Sequence, residues 1–194
     1  YSALLDANEA SFGIRALPSY RFDKASVIVG FDADFLATWI SPIEFAQQYA
    51  QNRKISDIKV PKMSRHFQVE SHMSYTGSNA DHRVLVKPSQ QFDAIATLYN
   101  YITATKGGNT ISNASKLDDK VNAQLKNLAA NLTDAGSNAL VICGSSDKAC
   151  QILVNKINSL LGAVNNTVDF STLSYQKKRN DQDFNELVTD MAEH

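Results

Sequence analysis

The chain has 194 residues, with 19 basic and 20 acidic side chains and a formal net charge of −1. This balance excludes the broad positive surface of a nucleic-acid or membrane-surface binder. The content of 43% hydrophobic and 20% charged residues is typical of a globular chain and excludes intrinsic disorder. We therefore expect one large folded domain or two small ones.

The predicted elements alternate between strands and helices along the chain. Strands are predicted at Val27–Phe31, 58–60, 84–86, Ala139–Cys143 and 168–170, and residues 63–70 can contain another. Helices are predicted at 41–54, 88–106 and 115–136, in a segment that ends at Gly162, and at 184–191. This order predicts an α/β protein with three αβα layers and a largely parallel, Rossmann-like sheet. We expect Val27–Phe31 and Ala139–Cys143 to be its buried central strands.

Two local patterns mark boundaries within this series. Ser41, Pro42 and Glu44 predict a helix start with a capping box, in which the serine hydroxyl accepts a backbone N–H. The polar segment 107–115 is a candidate linker between two candidate sub-units, residues 1–106 and 116–194.

The start of the chain and its cysteines narrow the class of protein. Because the sequence begins with Tyr1 rather than methionine, we expect a piece of a longer protein. No apolar run is long enough to cross a bilayer. Cys143 and Cys150 are too few for a four-ligand zinc or iron–sulfur site, and we expect small buried thiols.

Two aspartates follow the first predicted strand, at a position where α/β proteins place ligands. Asp32 and Asp34 are spaced as in the haloacid-dehalogenase phosphohydrolases, whose paired carboxylates act with Mg²⁺ as nucleophile and acid/base. The residues after the pair lack the usual threonine, and the later acidic pair at 118–119 falls in a predicted helix. The structural alternative is that both aspartates cap the turn after the strand.

A group of histidines suggests metal binding. His66, His72 and His82 lie close in sequence to Glu70 and Asp81, and imidazole and carboxylate are common zinc ligands. No histidine pair has the i, i+4 spacing that directs two rings of a helix at one ion. Ordinary polar contacts are the alternative.

The turn after the second buried strand suggests anion binding. Residues 144–146, Gly-Ser-Ser, precede a predicted helix, where free backbone N–H groups can bind an anion. A ligand-free turn of the same sequence is the alternative.

Three segments in order resemble the molybdopterin oxidoreductases. Residues 25–34 (ASVIVGFDAD) are similar to that family's strand and turn A-D-V-I-L-x-x-G-A-N-P. Residues 84–94 (VLVKPSQQFDA) resemble its L-x-I-R-P-G-T-D-x-A segment, and residues 139–144 (ALVICG) resemble the next strand, A-L-V-I-x-G. The three segments together are more specific than any one of them.

A closer resemblance is to one branch of that family, the large iron–sulfur subunit of bacterial alternative complex III. Residues 31–45 (FDADFLATWISPIEF) are similar to its F-x-A-D-F-L-G-T-W-x-S-P-V-E, and residues 64–81 also resemble that subunit. The resemblance implies a membrane respiratory complex that oxidises quinol, with this chain on the periplasmic face of the bacterial cytoplasmic membrane. It implies the other subunits of that complex as partners and iron–sulfur clusters elsewhere in the parent chain.

Departures from the molybdoenzymes affect the turn that would lie beside a pterin dinucleotide. Where that family has Ala-Asn-Pro, residues 33–35 are Ala-Asp-Phe, so a carboxylate would repel phosphate and Phe35 would add steric exclusion. Where the family has V-D-P-R, residues 60–65 keep an arginine and lose the aspartate. We therefore expect a cofactor-free scaffold domain without catalytic or metal-binding residues. Its relic cleft would be formed by Asp32, Asp34, Arg65 and Gly144, and the alternative is a molybdopterin dinucleotide-binding oxidoreductase domain.

Overall fold

The computed structural model of the chain describes residues 1–55, 58–59, 61–112, 115–178 and 180–193. Its helices are α1 (Ser2–Phe12), α2 (Pro42–Arg53), α3 (Tyr75–Ser78), α4 (Gln91–Lys106), α5 (Asp119–Ala135), α6 (Lys148–Leu161) and α7 (Asp181–Glu193). Its strands are β1 (Leu17–Tyr20), β2 (Val27–Phe31), β3 (Arg65–Glu70), β4 (His82–Leu85), β5 (Ala139–Cys143) and β6 (Val168–Ser174). Short 3-10 turns, Pro88–Gln90 and Gly136–Asn138, lead into α4 and β5.

Four strands form a parallel sheet in the order β4–β3–β2–β5. Val27 pairs with Arg65 of β3 on one side and with Ala139 of β5 on the other, so these strands begin at the same edge. Strands of parallel sheets are buried on both faces, which explains why β2 and β5 are continuous apolar runs. The chain is a mixed α/β protein with a parallel sheet, as its sequence pattern predicts.

The sheet separates two apolar clusters. On one face, Val27, Val29 and Phe31 of β2 pack with side chains of α4, α5 and α6. On the other face, Ile28 packs with apolar side chains of α1, α2 and the segment 33–39. The division follows from the two-residue period of a strand. Because both faces of β2 are covered, a ligand can approach this strand only at its ends.

The sequence pattern misses α1 and an antiparallel ribbon formed by β1 and β6. β1 is Leu-Pro-Ser-Tyr, and a proline within so short a run hides the strand signal. Leu17 pairs with Ser174, which is too distant in the sequence for a local pattern to reveal. Leu17, Tyr20 and Val168 of the ribbon are buried in the second apolar cluster.

β5 lies at the end of the sheet rather than at its centre, which corrects the prediction. All five of its residues are nevertheless buried, because side chains take the place of a further strand. The Asn158 amide accepts the Val141 N–H at 3.1 Å and donates to the Val141 carbonyl at 2.7 Å. Gln151 donates to the Cys143 carbonyl at 3.0 Å. These bonds satisfy backbone groups that an edge strand would otherwise leave unpaired.

Two smaller predictions are wrong. Residues 58 and 59 form a turn rather than a strand, and Val60, the third residue of that prediction, lies outside the described residues. Ser41 precedes α2 as its N-cap, but its side chain makes no capping hydrogen bond. Its backbone, with φ −141° and ψ 71°, departs from the extended geometry that directs a serine oxygen at the first helical N–H groups. The predicted capping box is therefore absent at this helix.

The two candidate sub-units contribute to the same sheet. β2, β3 and β4 come from residues 1–106, and β5 comes from residues 116–194. Part of the connecting segment is bonded to α4, since the Asn100 side chain accepts the Ile111 N–H at 2.8 Å and donates to the Ile111 carbonyl at 2.9 Å. Residues 113 and 114 of that segment lie outside the described residues.

Candidate functional site at the carboxyl end of the sheet

The order of the strands creates a crevice beyond β2 and β5. From β2 the chain continues to β3 on one side, and it later returns to β5 on the other side. Open α/β sheets bind ligands at such a switch point. A cavity of about 260 Å³ lies there, with Asp32, Asp34, Trp39, Gly144 and Ser145 among its lining residues. Three of the four residues predicted for the cleft are thus brought together.

Asp32 is the first residue after β2 and has a left-handed backbone, with φ 46°. Aspartate tolerates this conformation better than most residues. Its Oδ1 accepts the Ser71 backbone N–H at 3.2 Å. Burial raises the pKa of the Asp32 carboxyl, with a smaller rise from Glu70, while the Ser71 bond and His72 oppose it. The half-buried carboxyl group therefore holds the loop after β3 and faces the cavity as an acidic group.

Asp34 joins the loop after β2 to the short helix α3. Its Oδ1 accepts the Thr76 backbone N–H at 2.9 Å and the Thr76 hydroxyl at 2.6 Å. The Thr76 hydroxyl oxygen in turn accepts the Leu36 N–H at 2.9 Å. The Asp34 carbonyl also accepts the N–H groups of Thr38 and Trp39, at 2.8 and 2.9 Å. Asp34 thus has the structural role of a turn cap, the alternative that the sequence left open.

Phe35 does not line the cavity, which corrects the expectation that it would exclude a cofactor sterically. Its side chain is fully buried and stacks on Phe22, with ring centroids 4.4 Å apart. It also contacts the ring of His66, at a centroid distance of 5.2 Å. The turn after Asp32 directs Phe35 into the second apolar cluster, where it fixes the loop.

Gly144 allows close packing of two loops. A Cβ at this position would lie 2.2 Å from the Asp32 carbonyl oxygen, so no other residue fits without a backbone shift. Its N–H donates to the Phe31 carbonyl at 2.8 Å and is not free for an anion. At the start of α6, the Asp147 carboxylate accepts the Ala149 N–H at 2.8 Å. The chain's own carboxylate therefore occupies the position at which an anion would bind the helix.

Arg65 is not part of the cavity, which corrects its assignment to the cleft. It is the first residue of β3 and pairs with Val27, whereas Asp32 follows the last residue of β2. In a parallel sheet these positions lie at opposite edges. The Arg65 guanidinium instead donates to the Asn131 side-chain oxygen.

One face of β3 is polar and buried, a feature that the sequence analysis did not identify. His66, Gln68 and Glu70 alternate along the strand and are all at most 1% exposed. The His66 ring lies 3.1 Å from the Tyr49 hydroxyl and 3.4 Å from the Gln68 side-chain oxygen. Gln68 donates to the Ala33 carbonyl at 3.3 Å. Strict alternation with Phe67 and Val69 was the available signal, because it predicts a strand with one polar face.

Glu70 completes this polar face at the carboxyl end of β3. Its Oε1 accepts from the Arg83 guanidinium at 2.7 Å, and its Oε2 accepts the Ser74 hydroxyl at 2.6 Å. A Cβ on Gly77 would overlap the Glu70 carboxylate, so the glycine makes room for this buried charge. The network fixes α3 against the sheet next to Asp34.

The predicted histidine cluster is distributed over two faces of the sheet. His82 stacks on Phe67 at a centroid distance of 4.8 Å, while His66 is buried on the face opposite Phe67. His72 is exposed in the loop after β3. Within the described ranges, no three histidine, cysteine, aspartate or glutamate side chains are grouped closely enough to hold a metal ion.

The cysteines and the second acidic pair differ in their position relative to the cavity. Both cysteines are free and buried, as expected, and burial raises the pKa of the Cys143 thiol to about 12. Asp118 and Asp119, the second acidic pair of the phosphohydrolase interpretation, are not among the residues that line the cavity. Asp32 and Asp34 are both engaged in bonds to backbone N–H groups.

A scan against protein-family models and a search of curated proteins each gave no match. No helix in the described part of the chain combines the length and apolarity needed to cross a membrane.

Proposed function

We propose that this chain is a cofactor-free scaffold domain of a quinol-oxidising respiratory electron-transfer complex. It would form part of the enzyme-like region of a molybdopterin-oxidoreductase-like subunit and fold as a three-layer αβα, Rossmann-like unit. The observation that supports this proposal best is that the polar groups at the crevice are already hydrogen-bonded within the chain. The carboxylates of Asp32 and Asp34 and the Gly144 N–H are bonded to neighbouring loops and strands.

The residues at the crevice do not fit a pterin dinucleotide. The cavity in the crevice has a volume of about 260 Å³, which is below the roughly 300 to 1,000 Å³ typical of sites for smaller, drug-sized ligands. Among the described residues that line it, two are aspartates and none is lysine or arginine. Lys177 contacts the ring of the lining residue Tyr1, 5.2 Å from its centroid, but does not line the cavity. A pyrophosphate would therefore meet like charge, at a cost of about 1 to 4 kcal/mol for charges about 4 Å apart.

The parent complex defines the partners in this proposal. The chain would contact other subunits on the periplasmic face of the bacterial cytoplasmic membrane, and the iron–sulfur clusters would lie elsewhere in the parent chain. The segments at 31–45 and 64–81 support this assignment through their resemblance to the alternative complex III subunit. The domain would contribute a rigid shape, which the buried polar face of β3 supports by fixing the loops at the carboxyl end.

The alternative is a molybdopterin dinucleotide-binding oxidoreductase domain. One observation favours it, since the cavity lies at the switch point of the sheet, where nucleotides bind in related folds. The acidic lining and the bonded Gly144 N–H favour the scaffold proposal over this alternative.

Purification of the natural complex tests both parts of the proposal. We expect the parent of this chain, identified by mass spectrometry, to copurify with quinol-oxidising activity and iron, without stoichiometric molybdenum, tungsten or pterin. Stoichiometric molybdenum with an extractable pterin would support the alternative. Separation of the chain from quinol oxidation under mild solubilisation would contradict the assignment to a respiratory complex.

A further inference from the structure

A second cavity, of about 370 Å³, lies at the amino end of the parallel sheet. Its lining comes from the segment before β2, the end of α2, the residues before β3 and Asn138 before β5. This cavity lies at the amino ends of the strands, whereas the crevice lies at their carboxyl ends, so the proposed scaffold function does not involve it.

The lining of this second cavity is positively charged. Lys24, Lys54 and Lys62 all line it and are exposed, and none of them forms a salt bridge with another described residue. One carboxylate, Asp23, also lines it, but both its oxygens accept from the Arg21 guanidinium, at 2.9 and 2.7 Å. The carboxylates of Asp23 and Asp169 interact electrostatically with Lys24, but no described carboxylate forms a salt bridge with any of the three ammonium groups.

Ser64 adds a buried donor to the same lining. It is 5% exposed, and its hydroxyl has no hydrogen-bond partner among the described residues. Its backbone is fixed, since the Ser64 N–H donates to the Asn52 carbonyl at 3.0 Å and its carbonyl accepts from Arg53 at 2.8 Å. Leaving a buried hydroxyl unbonded is unfavourable, so an acceptor in the cavity would be stabilised by it.

We propose that this lysine cavity, formed by Lys24, Lys54, Lys62 and Ser64, binds a phosphate or diphosphate group. Lysine ammonium groups bind phosphate as compact point charges, whereas planar carboxylates are matched best by the arginine fork. A concave surface lined by one sign of charge concentrates the potential that attracts a multivalent anion. A soluble diphosphate and a phospholipid headgroup share this chemistry. The site is independent of the proposed scaffold function.

Calorimetric titration of the chain with inorganic pyrophosphate tests the proposal. We expect saturable binding that weakens as salt is added, because exposed charges are screened. The variant Lys24→Gln, Lys54→Gln, Lys62→Gln should lose at least about tenfold in affinity, since it removes the charges that hold the anion. Ser64→Ala should lose about threefold, since it removes a single neutral donor. Melting temperatures of all variants establish that they are folded.

A charge-matched control uses three exposed lysines elsewhere, with the substitutions Lys106→Gln, Lys120→Gln and Lys126→Gln. We expect its pyrophosphate affinity to stay within about twofold of the wild type. Equal losses of pyrophosphate affinity in the two triple variants would show that only net charge matters and would overturn the proposed site. Citrate binding as tightly as pyrophosphate would overturn the assignment to phosphate.

Vesicles distinguish the two sources of phosphate. Phosphatidylcholine vesicles with and without phosphatidylglycerol are sedimented with the wild type and with both triple variants. Binding that needs phosphatidylglycerol and the three cavity lysines would assign the site to a lipid headgroup, and pyrophosphate binding alone would assign it to a soluble compound. Absence of both kinds of binding in the wild type would overturn the proposal.

Discussion

At the carboxyl end of the parallel sheet, the polar groups of the chain are bonded to one another. Asp32 holds Ser71, Asp34 holds Thr76, and Gly144 fits directly against the Asp32 carbonyl. At the amino end, three lysines that form no salt bridge with another described residue line a larger cavity, and the buried Ser64 hydroxyl beside them has no hydrogen-bond partner among the described residues. The end at which open α/β sheets bind ligands is thus the one where this chain bonds its own polar groups to one another.

The two ends of the sheet show that the position of a cavity does not determine which ligand it can bind. Position depends on strand order, and the crevice beyond β2 and β5 has the position of a nucleotide site. Capacity depends on unbonded donors and on the sign of the charge. The crevice offers two carboxylates, while the lysine cavity offers positive charge and a free hydroxyl.

Gly144→Ala should have the largest effect on stability, because it disrupts the packing of two loops at the carboxyl end of the sheet. The added Cβ would lie 2.2 Å from a backbone oxygen, which cannot rotate away as a side chain can. We expect the free energy of unfolding to fall by at least about 3 kcal/mol, measured by urea denaturation. Ser64→Ala at the amino end is the control and should change it by less than about 0.5 kcal/mol, since the hydroxyl is unbonded. Equal effects at both ends would contradict the comparison.

The pH dependence of stability tests the polar face of β3, which runs between the two ends. Burial lowers the pKa of His66 to about 4, whereas an unfolded histidine binds its proton near pH 6.5. Between these values the unfolded state binds more protons, so stability falls as the pH is lowered from 6.5 towards 4. The loss should reach about 3 kcal/mol.

Urea denaturation of the wild type and of His66→Gln across this pH range measures the effect. The variant should lose most of the dependence, because glutamine does not titrate. The lowered pKa values of Asp23 and Asp81 and the raised pKa of Asp32 also contribute at the acid end of this range. These carboxyl groups are present in both proteins, so the difference between wild type and variant reports His66. An unchanged pH dependence in the variant would show that His66 is not sealed from solvent.

Asp34→Ala should lower the free energy of unfolding by less than Gly144→Ala does. It removes the acceptor of the Thr76 N–H and hydroxyl, and Thr76 is fully buried. We expect a loss of about 2 kcal/mol in the free energy of unfolding. Asp34→Asn keeps the acceptor oxygen and should cost less than half as much, which separates the hydrogen bonds from the charge. If both variants matched the wild type, Asp34 would have no role in closing the crevice.

The smallest expected effect compares two serines at helix starts. The Ser74 oxygen accepts the Gly77 N–H at 2.8 Å, whereas the Ser41 side chain makes no capping bond. Ser74→Ala should cost about 1 to 2 kcal/mol, because it removes both this cap and the hydroxyl bond to the Glu70 carboxylate, whereas Ser41→Ala should cost no more than a few tenths, measured by denaturation. A larger loss for Ser41→Ala would restore the predicted capping box.

Sequence reasoning succeeds where a signal is local. The strands at Val27–Phe31 and Ala139–Cys143 have the predicted bounds, because buried parallel strands are continuous apolar runs. Asp32, Asp34 and Gly144 could be placed at one cavity because parallel strands end at the same edge.

The errors at the candidate site concern the direction of a turn and contacts between distant segments. The direction of Phe35 depends on the left-handed turn at Asp32, and the need for glycine at 144 depends on a carbonyl more than a hundred residues earlier in the chain. Arg65 was assigned to the cleft by a resemblance that ignores where β3 begins. The lysine cavity combines separate segments and has no linear motif.

Calorimetric titration with GDP, a simple surrogate for the nucleotide half of a pterin dinucleotide, tests the closed crevice most directly. The background variant Lys24→Gln, Lys54→Gln, Lys62→Gln removes the lysine cavity as a second diphosphate site. In this background the chain should show no binding up to millimolar GDP, and both aspartate double variants are made in it. Asp32→Asn with Asp34→Asn keeps the acceptor oxygens, and any binding gained there but not in the charge-matched control Asp134→Asn with Asp190→Asn would identify charge as the cause. Both control aspartates are exposed. Micromolar GDP binding by the wild type, retained when the three cavity lysines are replaced by glutamine, would contradict the account and favour the oxidoreductase alternative.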